Sequence, residues 1–284
     1  MKVTLKDGSS KEYSQAMSVI DIAKDISEGL ARVACVAELD GEVVDLRTMV
    51  DGEHTLNILT FDSDEGKAAF RHTASHVLAQ AIKRLYPDAK CAIGPSIDEG
   101  FYYDFDIAPL DREALDKIEK EMKKIVKEGA TLERFTLPRQ EAIDLMKKRE
   151  EPYKVELIED LPEDAEISFY QQGEYIDLCA GPHLMNTKPL KAMKLISSSG
   201  AYWRGNEKNK MLTRVYGTAY TKKADLDAYL EHLEDIKKRD HNKLGRELEL
   251  FTNENLHNCR CNRSGTSAFD AKRCTGYPDF AALD

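Results

Sequence analysis

Over the first sixty residues, short apolar runs alternate with tight-turn signals. Val3-Thr4-Leu5-Lys6 and Lys11-Glu12-Tyr13 flank Asp7-Gly8, and glycine tolerates the positive φ such turns require, so the spacing predicts a hairpin. Ser18 with Asp21 three residues on predicts an N-cap and a short helix through Ile22 and Ile26. Two more strand pairs are expected around Asp40-Gly41 and Asp51-Gly52. Polar residues from Phe61 to Gly66 then lead into a long helix, expected to run to Leu85-Tyr86 and to stop at Pro87. Gly- and Pro-punctuated strands are expected from Cys91 to Asp106. Next comes a helix from about Asp111 to Glu128 whose Leu115, Ile118, Met122, Ile125 and Val126 share one face. A short helix from Gln140 to Arg149, strands through Ser199 to Thr218, and a charged helix from Asp225 to Leu250 complete the pattern. In the last helix Leu226, Tyr229, Leu230, Leu233 and Ile236 are expected on the buried side.

The order β-β-α-β-β at the N-terminus resembles a β-grasp, about as small as an independent domain gets. The chain therefore reads as α+β: a β-grasp domain over residues 1–61, an α+β domain over 62–223, a linker helix over 224–251 and a tail over 252–284. The first domain carries neither a nucleophile–base pair nor a ligand cluster, so it reads as a binding module. No run approaches the roughly 18 apolar residues of a membrane span, and the N-terminus has no apolar signal core, so a cytoplasmic protein is expected. Six scattered cysteines form no framework of stapled loops and are expected to be thiols.

Charge changes the picture locally. The net charge is −10, from 41 basic and 51 acidic residues, which argues against nucleic-acid binding through bulk charge. Lys188 to Lys223, however, holds nine basic residues against Glu207 alone, a net +8. The stripe comprises Lys188, Lys191, Lys194, Arg204, Lys208, Lys210, Arg214, Lys222 and Lys223. It would suit a phosphate backbone, or it is a solvated lysine-rich face.

The strongest chemical signal is Arg71-His72-Thr73-Ala74-Ser75-His76, because i, i+4 spacing puts two imidazoles on one helix face. The second is the run Tyr175 to His183, a strand end breaking into a turn that presents Asp177, Cys179 and His183 together. His72, His76, Cys179 and His183 would match a tetrahedral Zn²⁺ site, or equally a metal-free acid–base pocket.

These residues sit among further phrases: Gly100-Phe101-Tyr102-Tyr103-Asp104-Phe105, Glu151-Pro152-Tyr153-Lys154, Arg214-Val215-Tyr216-Gly217-Thr218-Ala219 and Leu244 to Phe251. In that order they resemble bacterial threonyl-tRNA synthetases, over about residues 1 to 251. The related editing domain of alanyl-tRNA synthetases would also carry the His and Cys spacing. The preceding β-grasp and the phrases around Asp177 and Tyr216 favour the threonyl family. The resemblance implies a TGS domain, an editing domain and a linker helix.

It also implies a task. Serine lacks only threonine's methyl group, and one methyl(ene) in a pocket is worth roughly 1–3 kcal/mol, too little for accurate translation. The implied activity is hydrolytic proofreading of seryl-tRNA(Thr), with tRNA(Thr) as partner and Lys188, Lys191, Lys194, Arg204, Lys208, Lys210 and Arg214 as its acceptor surface. His72, His76, Lys154, Asp177, Cys179 and His183 are the implied pocket, with Tyr103 as a lining residue. A histidine, His72 first, or Lys154 would activate the water and protonate the leaving ribose oxygen, while Asp177 orients the substrate amine. Positioned water rather than Cys179 is the expected nucleophile. The donor set suits zinc, although threonyl editing domains are generally described as working without it. Two rival readings are a free-standing trans-editing hydrolase and a non-catalytic tRNA-binding module.

Beyond Phe251 the resemblance stops. A full-length member would continue into a class II aminoacylation core that binds ATP and a zinc ion of its own and supplies most of the dimer contacts. Those ligands and that surface are not expected in this chain. Cys259, Cys261, Cys274 and His257 lack paired-knuckle spacing and are not read as a zinc site. Back-translated with free choice of synonymous codons and read one nucleotide later, residues 262–284 permit IGQGLPLLMPKGARVIQTLQRW. This looks like the start of the family's core. A reading-frame slip between about Thr252 and Asn258 is therefore expected, leaving a tail with little to pack. Sequencing the gene across that stretch is expected to find core-encoding sequence in the neighbouring frame; an intact frame without it refutes the slip.

Overall fold

The structure is a computed structural model that describes residues 1–239. The remainder of the expected linker helix and the 252–284 tail lie outside the described residues. The first domain runs β1 (Lys2–Leu5), β2 (Ser10–Glu12), β3 (Met17–Ser18), α1 (Val19–Ile26), α2 (Glu28–Val33), β4 (Ala34–Leu39), β5 (Glu42–Val44), β6 (Met49–Val50) and β7 (Glu53–Thr60). Its sheet has the order β2-β1-β7-β4-β5, with β1 and β7 parallel at the centre, which is a β-grasp arrangement. The expected cap is present: Ser18 Oγ accepts from the Asp21 N–H at 3.3 Å. Val3, Val19, Ile22, Ala37, Leu46, Val50 and Leu56 form the core between α1 and the sheet.

One expectation fails here. Asp51-Gly52 does not close a hairpin, because β6 pairs with β3 while β7 crosses to β1 and β4. Gly52 supplies a positive-φ turn, as the sequence required, but a turn fixes only where the chain reverses and not which strand it meets. The helix α2 was also not foreseen; its six residues bury none of their side chains, so it leaves no periodic apolar face to read.

The second domain runs α3 (Asp64–Leu85), β8 (Lys90–Cys91), β9 (Ser96–Ile97), β10 (Gly100–Asp106), α4 (Arg112–Glu128), β11 (Leu132–Leu137), α5 (Arg139–Lys148) and α6 (Pro152–Asp160). It continues through β12 (Ile167–Gln172), β13 (Tyr175–Leu178), β14 (Ala192–Tyr202), β15 (Met211–Tyr220) and α7 (Lys223–Lys238). Two antiparallel sheets result, one ordered β14-β15-β10-β8 and one β11-β12-β13. Helix α3, capped by Ser63 through the Gly66 N–H at 3.0 Å, is buried almost all round. It packs against α4 and β10, and against β4 and β7 of the first domain, so Cys35 joins its core. Met185 of the second domain in turn packs on the first domain's core, and Met1–Glu231 is one compact unit.

In α7 the expected apolar face is only partly used. Leu226 is buried and Tyr229 and Leu230 are half-buried, whereas Ile236 is 53% exposed. Gly100 of β10 lies close against β15: a Cβ there would collide with the backbone carbonyl of Gly217. Neither strand can yield without breaking their ladder, so Gly100→Ala is expected to cost about 1–3 kcal/mol in urea denaturation.

Candidate active site

The site forms where α3, α6 and the turn after β13 meet. Helix α3 turns the His72 and His76 rings to one side, edge to face at 5.3 Å between centroids. Strand β13 alternates inward at Tyr175 and Asp177 and then breaks, so Cys179 and His183 fold back over α3. Cys179 Sγ lies 3.4 Å from His72 Nε2 and 3.2 Å from His183 Nε2. Lys154 reaches in from the first turn of α6, where Pro152 sets the helix start. The Glu151 carboxylate anchors that start by accepting from the Cys91 N–H at 2.7 Å and pairing with Lys83 of α3 at 2.8 Å.

At the centre is Asp177, 2% exposed. Its Oδ1 pairs with Lys154 Nζ at 2.5 Å, and its Oδ2 accepts from Tyr103 OH at 2.7 Å and Tyr175 OH at 3.0 Å. His76 Nε2 lies 3.5 Å from the same oxygen. Burial alone would raise the Asp177 carboxyl, but the Lys154 charge and the hydrogen bonds to the carboxylate prevail and hold it below its ordinary value. Desolvation prevails elsewhere, although the Asp177 charge opposes it at His72 and His76. It lowers His72 to about 4 and His76 to about 3, takes His183 well below its ordinary value, and pushes the Cys179 thiol up to about 12. At neutral pH the pocket therefore holds a paired carboxylate and ammonium, three neutral imidazoles and a protonated thiol.

A cavity of about 310 Å³ opens beside these groups, lined by His72, His76, Lys154, Asp177 and Cys179 with apolar walls from Ile93, Pro95, Leu157 and Leu178. Five of the six expected pocket residues thus line the cavity; His183, fully buried, stands against Cys179 and does not line it. Tyr103 differs from its expected place: it stands behind Asp177 as a fully buried donor and does not line the cavity. Tyr175 and Thr73 were not singled out from sequence. Tyr175 shares the inward face of β13 with Asp177, a signal that i, i+2 spacing on a strand supplies. Thr73 Oγ1 lies 3.2 Å from His183 Nδ1 and leaves no such pattern.

The donor atoms of His72, His76, Cys179 and His183 all lie within 4.8 Å of one another. Tetrahedral zinc, with bonds of about 2.0–2.3 Å to nitrogen and sulfur, has donor–donor edges of roughly 3.3–3.6 Å. The Cys179 contacts already match these, and the buried His76 Nδ1 has no hydrogen-bond partner among the described residues. The cluster can hold a metal ion.

The basic stripe behaves differently. Lys194 pairs with Glu119, Arg204 with Glu156 and Asp160, Lys210 with Asp106, and Arg214 with Asp104. Lys188, Lys191 and Lys208, with Lys222 and Lys223, are exposed and form no ion pair among the described residues. Much of the segment's +8 is therefore matched by carboxylates distant in sequence.

Comparison with known proteins adds to this geometry. Residues 1–60 match the TGS domain and residues 167–216 match the "Threonyl and Alanyl tRNA synthetase second additional domain". The chain joins a TGS domain to that second additional domain. The second match covers Asp177, Cys179 and His183, while His72, Tyr103 and Lys154 reach the site from outside it. Threonine–tRNA ligases of Acetivibrio thermocellus and Clostridium perfringens are each 63% identical, over 252 and 255 residues, and that of Clostridium acetobutylicum is 60% identical over 253. These alignments cover 88–89% of this chain and 39–40% of the relatives, so the chain spans about 40% of their length. Among the described residues no helix is long and apolar enough to cross a membrane.

The depressed imidazoles give a signed pH dependence. Unfolded histidines take up protons near pH 6.5, whereas His76 in the fold resists until about 3. The second additional domain is therefore expected to keep this contribution above pH 6.5 and to lose it as pH falls towards the folded values. In chelator-treated protein the loss is on the order of 2 kcal/mol per buried imidazole by about pH 5. Urea midpoints across that range check this, and His76→Gln, which cannot titrate, is expected to flatten the slope.

Proposed function

We propose that this chain hydrolyses the aminoacyl ester of seryl-tRNA(Thr) with water as the nucleophile. The observation that carries the reading is Asp177, an ionised carboxylate that shares its cavity with Lys154, Cys179, the His72 and His76 imidazoles and apolar walls. The α-ammonium of an aminoacyl ester is the complement of that carboxylate, and Asp177 would orient it. The adjoining His72, neutral at pH 7, is able to accept a proton from water. As the water oxygen bonds to the ester carbon, His72 takes the proton. As the bond to the ribose oxygen breaks, it returns the proton to that leaving group. The Lys154 ammonium beside the cavity opposes the negative charge that develops on the carbonyl oxygen.

Cys179 is an unsuitable nucleophile, because a thiol pushed up to about 12 is protonated at neutral pH. Its place in the reading is to hold the His72 and His183 rings. The walls of Ile93, Pro95, Leu157 and Leu178 would admit serine and press on the extra methyl of threonine. His72, His76, Cys179 and His183 are the residues that would hold zinc. When bound, it would supply Lewis acidity towards a water.

The partner in this reading is tRNA(Thr). Its phosphates would meet Lys188, Lys191 and Lys208, which are unpaired among the described residues, more strongly than Lys194, Arg204, Lys210 and Arg214, whose charges are already matched. The likeness to threonine–tRNA ligases supports the same tRNA, and the aminoacylation step itself is assigned to no residue of this chain.

Release of serine from seryl-tRNA(Thr), with threonyl-tRNA(Thr) as control, tests the reading. Serine release is expected to exceed threonine release and to fall on the order of 10²–10⁴-fold in His72→Ala and in Lys154→Ala. Near-UV circular dichroism verifies that each variant is folded. Equal release from both esters, or an unaltered rate in folded His72→Ala, refutes it.

A further inference from the structure

Two side chains of the TGS domain, Asp45 and Arg47, reach the segments that support the pocket. Arg47, on the loop between β5 and β6, projects into the second additional domain. Its Nε donates to the Leu132 carbonyl at 2.9 Å, its Nη2 to the Leu184 carbonyl at 2.9 Å, and its Nη1 to the His183 carbonyl at 3.5 Å. Asp45 holds the guanidinium in that pose, at 2.7 and 3.0 Å from Nη1, and is only 8% exposed. The same Asp45 accepts from Tyr170 OH at 2.9 Å, and the Tyr170 ring meets the His183 ring edge-on at 4.4 Å.

From the other side Thr73 of α3 accepts the Leu184 N–H at 3.0 Å and lies 3.2 Å from His183 Nδ1. The His183-Leu184 backbone is thus gripped on its N–H side by the helix that carries His72 and His76, and on its carbonyl side by the TGS domain. Just beyond, Met185 packs on the TGS core. A guanidinium with donors in a fixed fork is suited to span several carbonyls at once, which an ammonium is not.

We infer that Arg47 is a positioning residue: through the His183-Leu184 backbone, the TGS domain sets the orientation of the His183 imidazole against Cys179, which lines the pocket. The inference rests on the hydrolytic reading only for its kinetic consequence. The chain would not be a binding module attached to an independent hydrolase, because the turn that carries His183 is held by the first domain. Groups that orient a reacting shell typically contribute 10- to 100-fold.

The test uses the full chain and two readouts. In ¹⁵N-histidine-labelled protein, Arg47→Ala is expected to shift the His183 ring resonances while leaving those of the exposed His232 in place. Arg47→Lys, which keeps the charge but not the fork, is expected to shift them in the same direction by less. In serine release, Arg47→Ala is expected to lower kcat on the order of tenfold with KM within about twofold, and Arg47→Lys to recover part of it. Unmoved His183 resonances in the folded variants overturn the inference, as does a rise in KM at unchanged kcat. If Arg47→Ala does not fold, the Arg47→Lys spectrum decides. Wild-type protein that releases no serine overturns the hydrolytic reading, and the His183 resonances still decide the positioning role.

Discussion

A carboxylate taken out of water must find its compensation inside the protein, and for Asp177 that compensation organises the site. Its two oxygens are matched by Lys154, Tyr103 and Tyr175, which arrive from α6, β10 and β13. An ammonium buried opposite a carboxylate is stable only while both remain, and loss of either partner typically costs about 3–5 kcal/mol. The start of α6 is therefore not free to drift. Glu151, itself nearly buried, ties it to the Cys91 amide and to Lys83 on the helix that carries both histidines. One internal ion pair thus fixes the relative position of three elements, and the cavity is the space left beside it.

The same low-dielectric surroundings that make the pair necessary also set the protonation states around it. The Asp177 charge favours protonation of His72 and His76, but desolvation outweighs it and keeps the nearby imidazoles and thiol neutral. The result is a pocket in which charge is confined to one place and proton acceptors surround it. Those acceptors are also the donor atoms of a cluster that could hold a metal ion, so acid–base and metal chemistry would draw on the same side chains.

The way the residues came to be recognised differs from case to case. His72 and His76 were legible because helical spacing alone puts them on one face. Cys179 and His183 were legible as a cluster because only three residues separate them on a turn. Lys154 carries no local signal of chemistry and entered through resemblance. Tyr103, which also entered through resemblance as a lining residue, stands behind Asp177, because a resemblance carries a residue's place in the chain but not its depth in the packing. The basic stripe was the least faithful guide. Charge counted along the chain omits Asp104, Asp106, Glu119 and Glu156, which pair with it across β10, α4 and α6.

What the sequence determined by itself was local: the β-grasp turns and the Ser18 cap, the boundary at Ser63, the apolar face of α4, and two half-sites about 100 residues apart. These depend on dihedral preference, capping and periodicity, which act within a few residues. The tertiary structure decided which strand each turn delivered its chain to, so that β6 and β7 part at Asp51-Gly52 and do not pair. It decided that Asp177 is the buried centre, that four of the nine basic residues in the stripe are matched by carboxylates, and that Arg47 of the first domain grips the turn of the second. Each of these is a contact between segments far apart in the chain, whose free energy comes from burial and charge matching that exist only once the chain has folded.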